Sequence, residues 1–257
     1  MPLTADGAPG YSAVLLRGLL AGLIAGLLAG VFGYVAGEPR VDAAITIEEQ
    51  SAHAAGEPAD AGHHDEELVS RTGQKGGLFL ATALFGAAMG GLLATAYTLL
   101  RRRLRTTSDT RAALGLAGAA LLGVVLVPFV KYPPNPPAVG DPATIDQRTI
   151  SYLAVVVIGL VAVWAGVVAY RAPRAAAPES LRAATAVLGF VAVVTVGYVM
   201  LPRIDEVPAT FPASLLWNFR LASLGTQAVL WVTLGLGFAT LLARLAARRA
   251  DRAAVTA

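Results

Sequence analysis

The sequence predicts an all-α, polytopic membrane helix bundle of about six transmembrane helices, on three observations. Hydrophobic residues make up 56% of the 257 residues and charged residues only 14%, where a soluble domain carries about 25% charged. The apolar residues fall in six continuous runs, 13–36, 76–100, 112–130, 151–170, 183–201 and 221–243. A helix needs about 20 such residues to cross a hydrocarbon core of about 30 Å. The arginines gather in alternate connections between these runs. In lipid every backbone polar group must be paired internally, so unbroken runs specify helices, whereas a barrel needs a two-residue alternation that is absent.

The first run carries Gly18, Gly22, Gly26 and Gly30 at four-residue spacing. This small-xxx-small stripe lets a second backbone approach closely, and Gly86 and Gly90 of the second run are its expected partner surface. The third and fifth runs are the shortest, and each meets a proline, Pro128 and Pro202. Residues 1–12 hold no Lys or Arg, a poor start for a signal peptide. Val35-Ala36-Gly37 is a weak match to a cleavage site whose use would leave five spans.

Orientation follows from the cationic residues. Twelve of the twenty, among them Arg101, Arg102, Arg103, Arg105, Arg111, Arg171, Arg174, Arg182 and four in the tail, lie on one side of the bundle. Seven lie on the other, and Arg17 stands at the leading end of the first run. Both termini are therefore expected in the cytoplasm, with three loops outside. The net charge of +3 follows from this asymmetry and does not indicate nucleic-acid binding. The expected organisation is one integral membrane domain, 1–257, with an extracytoplasmic acidic/His loop at 37–75, a Pro-rich loop at 131–150 and a second Pro-containing loop at 202–220.

There is no cysteine, which excludes a disulfide framework, an iron–sulfur cluster and a thiol nucleophile. No Gly-x-Ser-x-Gly, His-Glu-x-x-His or Walker loop is present, so neither an enzyme nor a cofactor is expected. The spans are almost free of ionisable groups. Lys131 and Arg220 sit at span ends, where each is expected to snorkel. Thr82, Thr95 and Tyr198 are among the few polar residues placed deeper.

The polar chemistry lies in the three outer loops. Loop one holds nine of the seventeen acids and all three histidines. Carboxylate and imidazole together suit divalent first-row metals. The stretch 39–53 is expected to be helical, with Pro39 in its first turn. At 100° per residue Glu38, Asp42, Glu49 and His53 share a face, Glu49 and His53 forming an i, i+4 pair, with Glu48 adjacent in sequence. His63, His64, Asp65, Glu66 and Glu67 form a second cluster. The spacing is not diagnostic of a metal site, and a solvated acidic linker is the competing reading. In loop two Lys131 and Tyr132 precede Pro133-Pro134-Asn135-Pro136-Pro137, a stiff extended segment. Asp141 and Pro142 then form an N-cap and N1 pair, which places Thr144, Arg148 and Tyr152 on one stripe. Asn135 and Asp141 are expected to position the mouth between the third and fourth spans. Loop three, 201–212, echoes loop two: a helix leaves at a proline, and a basic residue and further prolines follow.

The run KYPPNPPAVGDP at 131–142, with Thr144-Ile145, Arg148-Thr149 and Tyr152, resembles the hallmark of the CbtA family of cobalt transporter subunits. Gly37-Glu38-Pro39 with Asp42, Ala44-Ile45 and Glu48, then Val69-Ser70-Arg71 with Gln74, and Phe211-Pro212 with Leu216-Trp217, Phe219-Arg220, Leu221-Ala222-Ser223 and Trp231, extend the likeness over nearly the whole chain. The resemblance implies an inner-membrane protein of cobalt and cobalamin supply, with Co2+ as the transported ion. It also implies about five spans and a small companion subunit, CbtB, bearing a histidine-rich metal motif. A non-transport membrane scaffold or metal sensor is the alternative.

Overall fold

The computed structural model describes residues 10–54, 70–104, 106, 108–137, 139–174 and 176–256. All regular structure among them is helical: α1 (Tyr11–Phe32), α2 (Glu38–Ala54), α3 (Arg71–Leu100), α4 (Asp109–Ala120), α5 (Val127–Lys131), α6 (Ile145–Arg171), α7 (Glu179–Met200) and α8 (Ala213–Thr256). Among the described residues six helical stretches are long and apolar enough to cross a membrane: Tyr11–Ser51, Gly73–Leu100, Asp109–Lys131, Pro142–Arg171, Glu179–Met200 and Ala213–Arg248. The count matches the six apolar runs, where the resemblance implies about five spans. The two short runs reach 23 and 22 residues because their helices begin before the apolar part. Asp109 and Glu179 stand in the first turns, where a carboxylate complements the positive end of the helix dipole.

Prolines shape the backbone in two ways. The helix expected over 39–53 is α2, with Pro39 in its first turn. The helical backbone continues from α1 through a π-helical turn, Gly33–Gly37, into α2. A second π turn, Leu121–Leu126, precedes Pro128 and joins α4 to α5. A proline ring inside a helix has no N–H to donate and crowds the carbonyl four residues back; the wider π turn relieves both. Elsewhere proline ends the helix. Leu201, before Pro202, is extended (φ −85°, ψ 143°), and Tyr132, before Pro133, also leaves the helical region, as the clash with the proline ring requires. Residues 213–220, placed by sequence in the third outer loop, are the opening turns of α8. Likewise α6 and its preceding turn take up most of 142–150.

The chain divides into two compact units. The first gathers α1, α3, most of α4, and α8 from Gly225 onward. Its seam is glycine on glycine: Gly18 and Gly22 meet the backbone of Gly86 and Gly90, and Gly26 meets that of Thr82 and Ala83. Thr82 and Thr95 donate back to carbonyls of their own helix, at Leu78 and Gly91 (both 2.8 Å), so neither hydroxyl costs an unpaired donor. Tyr97 packs edge-on against Phe238 at 5.6 Å. Arg101 Nε donates to Asp109 at 2.6 Å across the turn from α3 to α4, and that bond raises the guanidinium above its ordinary value.

The second unit holds α2, α5, α6, α7 and the opening of α8. Close approaches of Gly123 to Gly159 and of Gly189 to Ala165 and Ala169 build it. Its large apolar side chains, such as Trp164, Leu188 and Val199, are exposed, which suits a surface bathed in hydrocarbon and not in water.

Candidate functional site at the proline-loop end of the second unit

Both proline loops belong to the second unit, and side-chain bonds to backbone carbonyls tie them together. Lys131 is the last residue of α5. Its Nζ donates to the carbonyls of Tyr198 (2.9 Å) and Leu201 (3.2 Å). These lie at the C-terminal end of α7, whose last carbonyls have no partner within the helix and carry the negative end of its dipole. The rings of Tyr132 and Tyr198 flank the ammonium at 5.6 and 5.9 Å. The Tyr132 hydroxyl donates to the Pro202 carbonyl at 2.7 Å, and the Tyr198 hydroxyl donates to the Val127 carbonyl. Partial burial raises the Tyr132 phenol above its ordinary value of 10.0, so the hydroxyl stays a donor. Lys131 thus fastens one helix to another instead of snorkelling. Tyr198 sits at the end of its span, not near the middle.

Glu206 of the third loop is a residue that the sequence analysis did not single out. Its carboxylate accepts from the Thr144 hydroxyl, from the Asp141 backbone N–H (3.0 Å) and from Arg148 Nη1 (3.2 Å). These are the first residues of α6 and its preceding turn, so Glu206 supplies negative charge to a helix N-terminus. The bonds from Thr144 and Asp141, with the Arg148 charge, hold its carboxyl below the ordinary value of 4.5. Gly140 makes room for the guanidinium: it has φ 138°, and a Cβ there would meet Arg148. Asp141 caps the helix as expected, its carboxylate accepting from Ala143 N–H at 2.8 Å. Of the stripe Thr144, Arg148 and Tyr152, only the first two reach Glu206; the Tyr152 ring is exposed. Asp141→Ala should cost about 0.5–2 kcal/mol through loss of the cap, read as a lowered melting midpoint of the detergent-purified chain.

Arg220, near the start of α8, donates to Asn135 Oδ1 (2.9 Å) and to the Pro134 carbonyl (3.4 Å). Arginine has donors only, so the Asn135 amide oxygen must face it. Arg220, like Lys131, therefore spends its charge inside the protein. Asn135 links loop two to α8, a link in addition to the mouth between the third and fourth spans that its sequence position suggested.

Helix α2 packs on the same loops. Ala44 is fully buried in a small core with Val139 of loop two and Phe211 of loop three, bordered by Val207, Leu215 and Leu216. This contact sets the rotation of α2. On a helical wheel Glu38, Asp42 and Glu49 centre about 140° from Ala44, and the His53 side chain lies outside the described residues. Glu49 is exposed; Glu38 and Asp42 are half-buried. Glu48 lies about 40° from Ala44 on the wheel, off the stripe, and is exposed. His63, His64, Asp65, Glu66 and Glu67 lie outside the described residues. Among the described residues no three His, Cys, Asp or Glu side chains come together to hold a metal ion.

The family described as "probable cobalt transporter subunit (CbtA)" matches residues 11–243. The chain belongs to the CbtA family. The match runs from the first residue of α1 well into α8, so this CbtA chain carries both units and both proline loops within the family region. No curated protein matches the chain, and no solved structure does. Six apolar helices and membership of a transporter-subunit family make this a multi-pass membrane protein.

Proposed function

We propose that the chain is the membrane subunit of a cobalt(II) uptake transporter serving cobalamin supply. The observation that carries this reading is the CbtA match over 11–243 on a chain with six membrane-length helices. In this reading the protein lies in the bacterial inner membrane with both termini cytoplasmic, as the arginine asymmetry indicates. The proline loops and α2 then face outward, and CbtB is the companion subunit.

Capture of the ion is assigned to loop one. The burial of Ala44 supports this, because it leaves Glu49 exposed on the face that the sequence assigns to Glu38, Asp42, Glu49 and His53. His63, His64, Asp65 and Glu67 would add ligands. The four groups of that face spread over about 22 Å of helix, so only i, i+4 pairs can reach one ion, and a companion with histidines would complete the set. Lys131, Tyr132, Asn135, Asp141 and Arg148 act by holding the loops in place.

Cobalt accumulation in cells expressing the chain, with and without the adjacent small subunit, tests the reading. Accumulation no higher than in cells without the chain, in either arrangement, rejects it. Replacing His53, His63 and His64 together by Ala should lower uptake most at low external cobalt, where capture limits the rate. Imidazole binds metal when neutral, and its ordinary pKa is about 6.5, so the histidine-dependent part should fade as pH falls through that region. Uptake curves that overlay the wild type at every cobalt concentration would make loop one an acidic linker and leave capture to the partner.

A further inference from the structure

The surroundings of the Lys131 ammonium have the composition of a binding site for a small monovalent cation. Two carbonyl oxygens, of Tyr198 and Leu201, accept from it at 2.9 and 3.2 Å. Two aromatic faces lie within 6 Å, at 5.6 and 5.9 Å from the ring centroids, the range in which a ring quadrupole attracts a cation. The carbonyls belong to the C-terminal end of a membrane helix, and such ends serve as cation sites where transporters break their helices. Both rings are pinned by their hydroxyls, Tyr132 to Pro202 and Tyr198 to Val127, so the cage stands on its own bonds as well as on the lysine. Among the described residues neither a carboxylate nor an imidazole bonds to the ammonium. Divalent first-row ions favour such anionic or nitrogen ligands, whereas neutral carbonyls and ring faces suit a singly charged ammonium, which holds its water less tightly than a divalent ion does.

We propose that the end of α7, with Tyr132 and Tyr198, is a monovalent-cation site that the protein fills with its own lysine. Lys131 is then a positioning residue that locks the third span to the fifth, and a chain without its amine accepts a soluble primary ammonium ion in the vacated place. This rests on the transport reading only where uptake is the readout; the stability measurement stands apart from it.

The test compares melting midpoints of detergent-purified wild type, Lys131→Ala and Lys131→Met, each with propylammonium, sodium or cobalt(II) chloride. Lys131→Ala should melt about 2–4 °C lower than wild type. Propylammonium should restore most of that loss, sodium and cobalt should not, and wild type should respond to none. Equal midpoints for wild type and Lys131→Ala, or no greater response to propylammonium than to sodium, would overturn the proposal. Lys131→Met keeps the apolar stem and leaves out only the ammonium itself, so if the alanine variant does not accumulate, the comparison is made on it with ammonium chloride in place of propylammonium. A measurement on the filled cage uses Lys75→Arg, which leaves Lys131 the sole lysine. With lysine 13C-labelled at the ε carbon, a single signal displaced by the ring currents is expected. A signal at the free-lysine position refutes the cage, whatever the variants do. In cells, Lys131→Ala should lower maximal cobalt uptake with half-saturation unchanged, and propylammonium should raise it. A wild-type maximum refutes the positioning role, whereas no uptake by wild type refutes the transport reading alone.

Discussion

Gly22→Val should remove most of the folded protein from the membrane. A Cβ at position 22 would strike the Gly86 carbonyl and lie 2.8 Å from its carbon and 3.0 Å from Gly90 Cα. These are backbone atoms, so no side chain can swing aside, and α1 and α3 would have to separate. In lipid that seam is held by close packing and not by a hydrophobic drive, since lipid tails are as apolar as leucine. Overpacking of this kind costs about 1–3 kcal/mol, occasionally more, and the valine adds two methyl groups beyond the Cβ. Gly86→Val should behave alike, with Gly26 Cα and N at 2.7 Å from its Cβ. Gly115 of α4 is the control: nothing lies within 4 Å of a Cβ there, and Gly115→Ala should be neutral or stabilise by about 0.5–1 kcal/mol. Membrane accumulation and detergent melting curves measure all three. A normal yield of Gly22→Val with a wild-type midpoint would contradict the seam.

The second large effect is expected at Glu206. Glu206→Lys would place a cation beside Arg148 and at the positive end of α6, reversing every favourable term at once. Its thermal midpoint should fall below that of Glu206→Ala, with Glu206→Gln nearest to wild type, and cobalt uptake should follow the same order. Exchanging the charges, Glu206→Arg with Arg148→Glu, should recover part of the loss if the ion pair matters, and none if only the bonds to Thr144 and Asp141 do. The pH dependence has a definite sign. The Glu206 carboxyl is held below 4.5 by its partners, so the folded chain binds this proton less tightly than the unfolded chain. The clasp therefore contributes fully above 4.5 and is lost as pH falls through the lower folded value. Wild type should lose stability more steeply in that acid range than Glu206→Gln, whose amide does not titrate. Parallel curves would remove Glu206 from the centre of the loops.

Much of this was legible in the residues. Six apolar runs gave six helices, because in hydrocarbon an unbroken apolar run has few other ways to pair its backbone. The four-residue glycine stripe announced the α1–α3 seam, and Asp141-Pro142 announced a helix start. Glu206 was not legible. It lies 65 residues from Asp141 and 62 from Thr144, in a loop with two neighbouring acids of no distinct pattern, and its importance comes only from what folding brings to it. The snorkelling expected of Lys131 and Arg220 failed for a related reason. Charge and position at a span end say that a cation needs polar company, but water is only one source. Here the loops supply carbonyls and an amide instead. The helical join of α1 to α2 through Gly33–Gly37 was missed because a π turn leaves no signature as local as a proline's.

By itself, then, the sequence determined the number and apolar character of the spans, the glycine seam and the stiffness of the proline loops, since each is a property of contiguous residues in a given solvent. Only the tertiary structure decided which carbonyls Lys131 meets, where Glu206 bonds, and which way α2 turns its acids once Ala44 is buried. Those pairings join residues far apart along the chain, and a hydrogen bond or an ion pair depends on distances of a few ångströms that periodicity and composition do not carry.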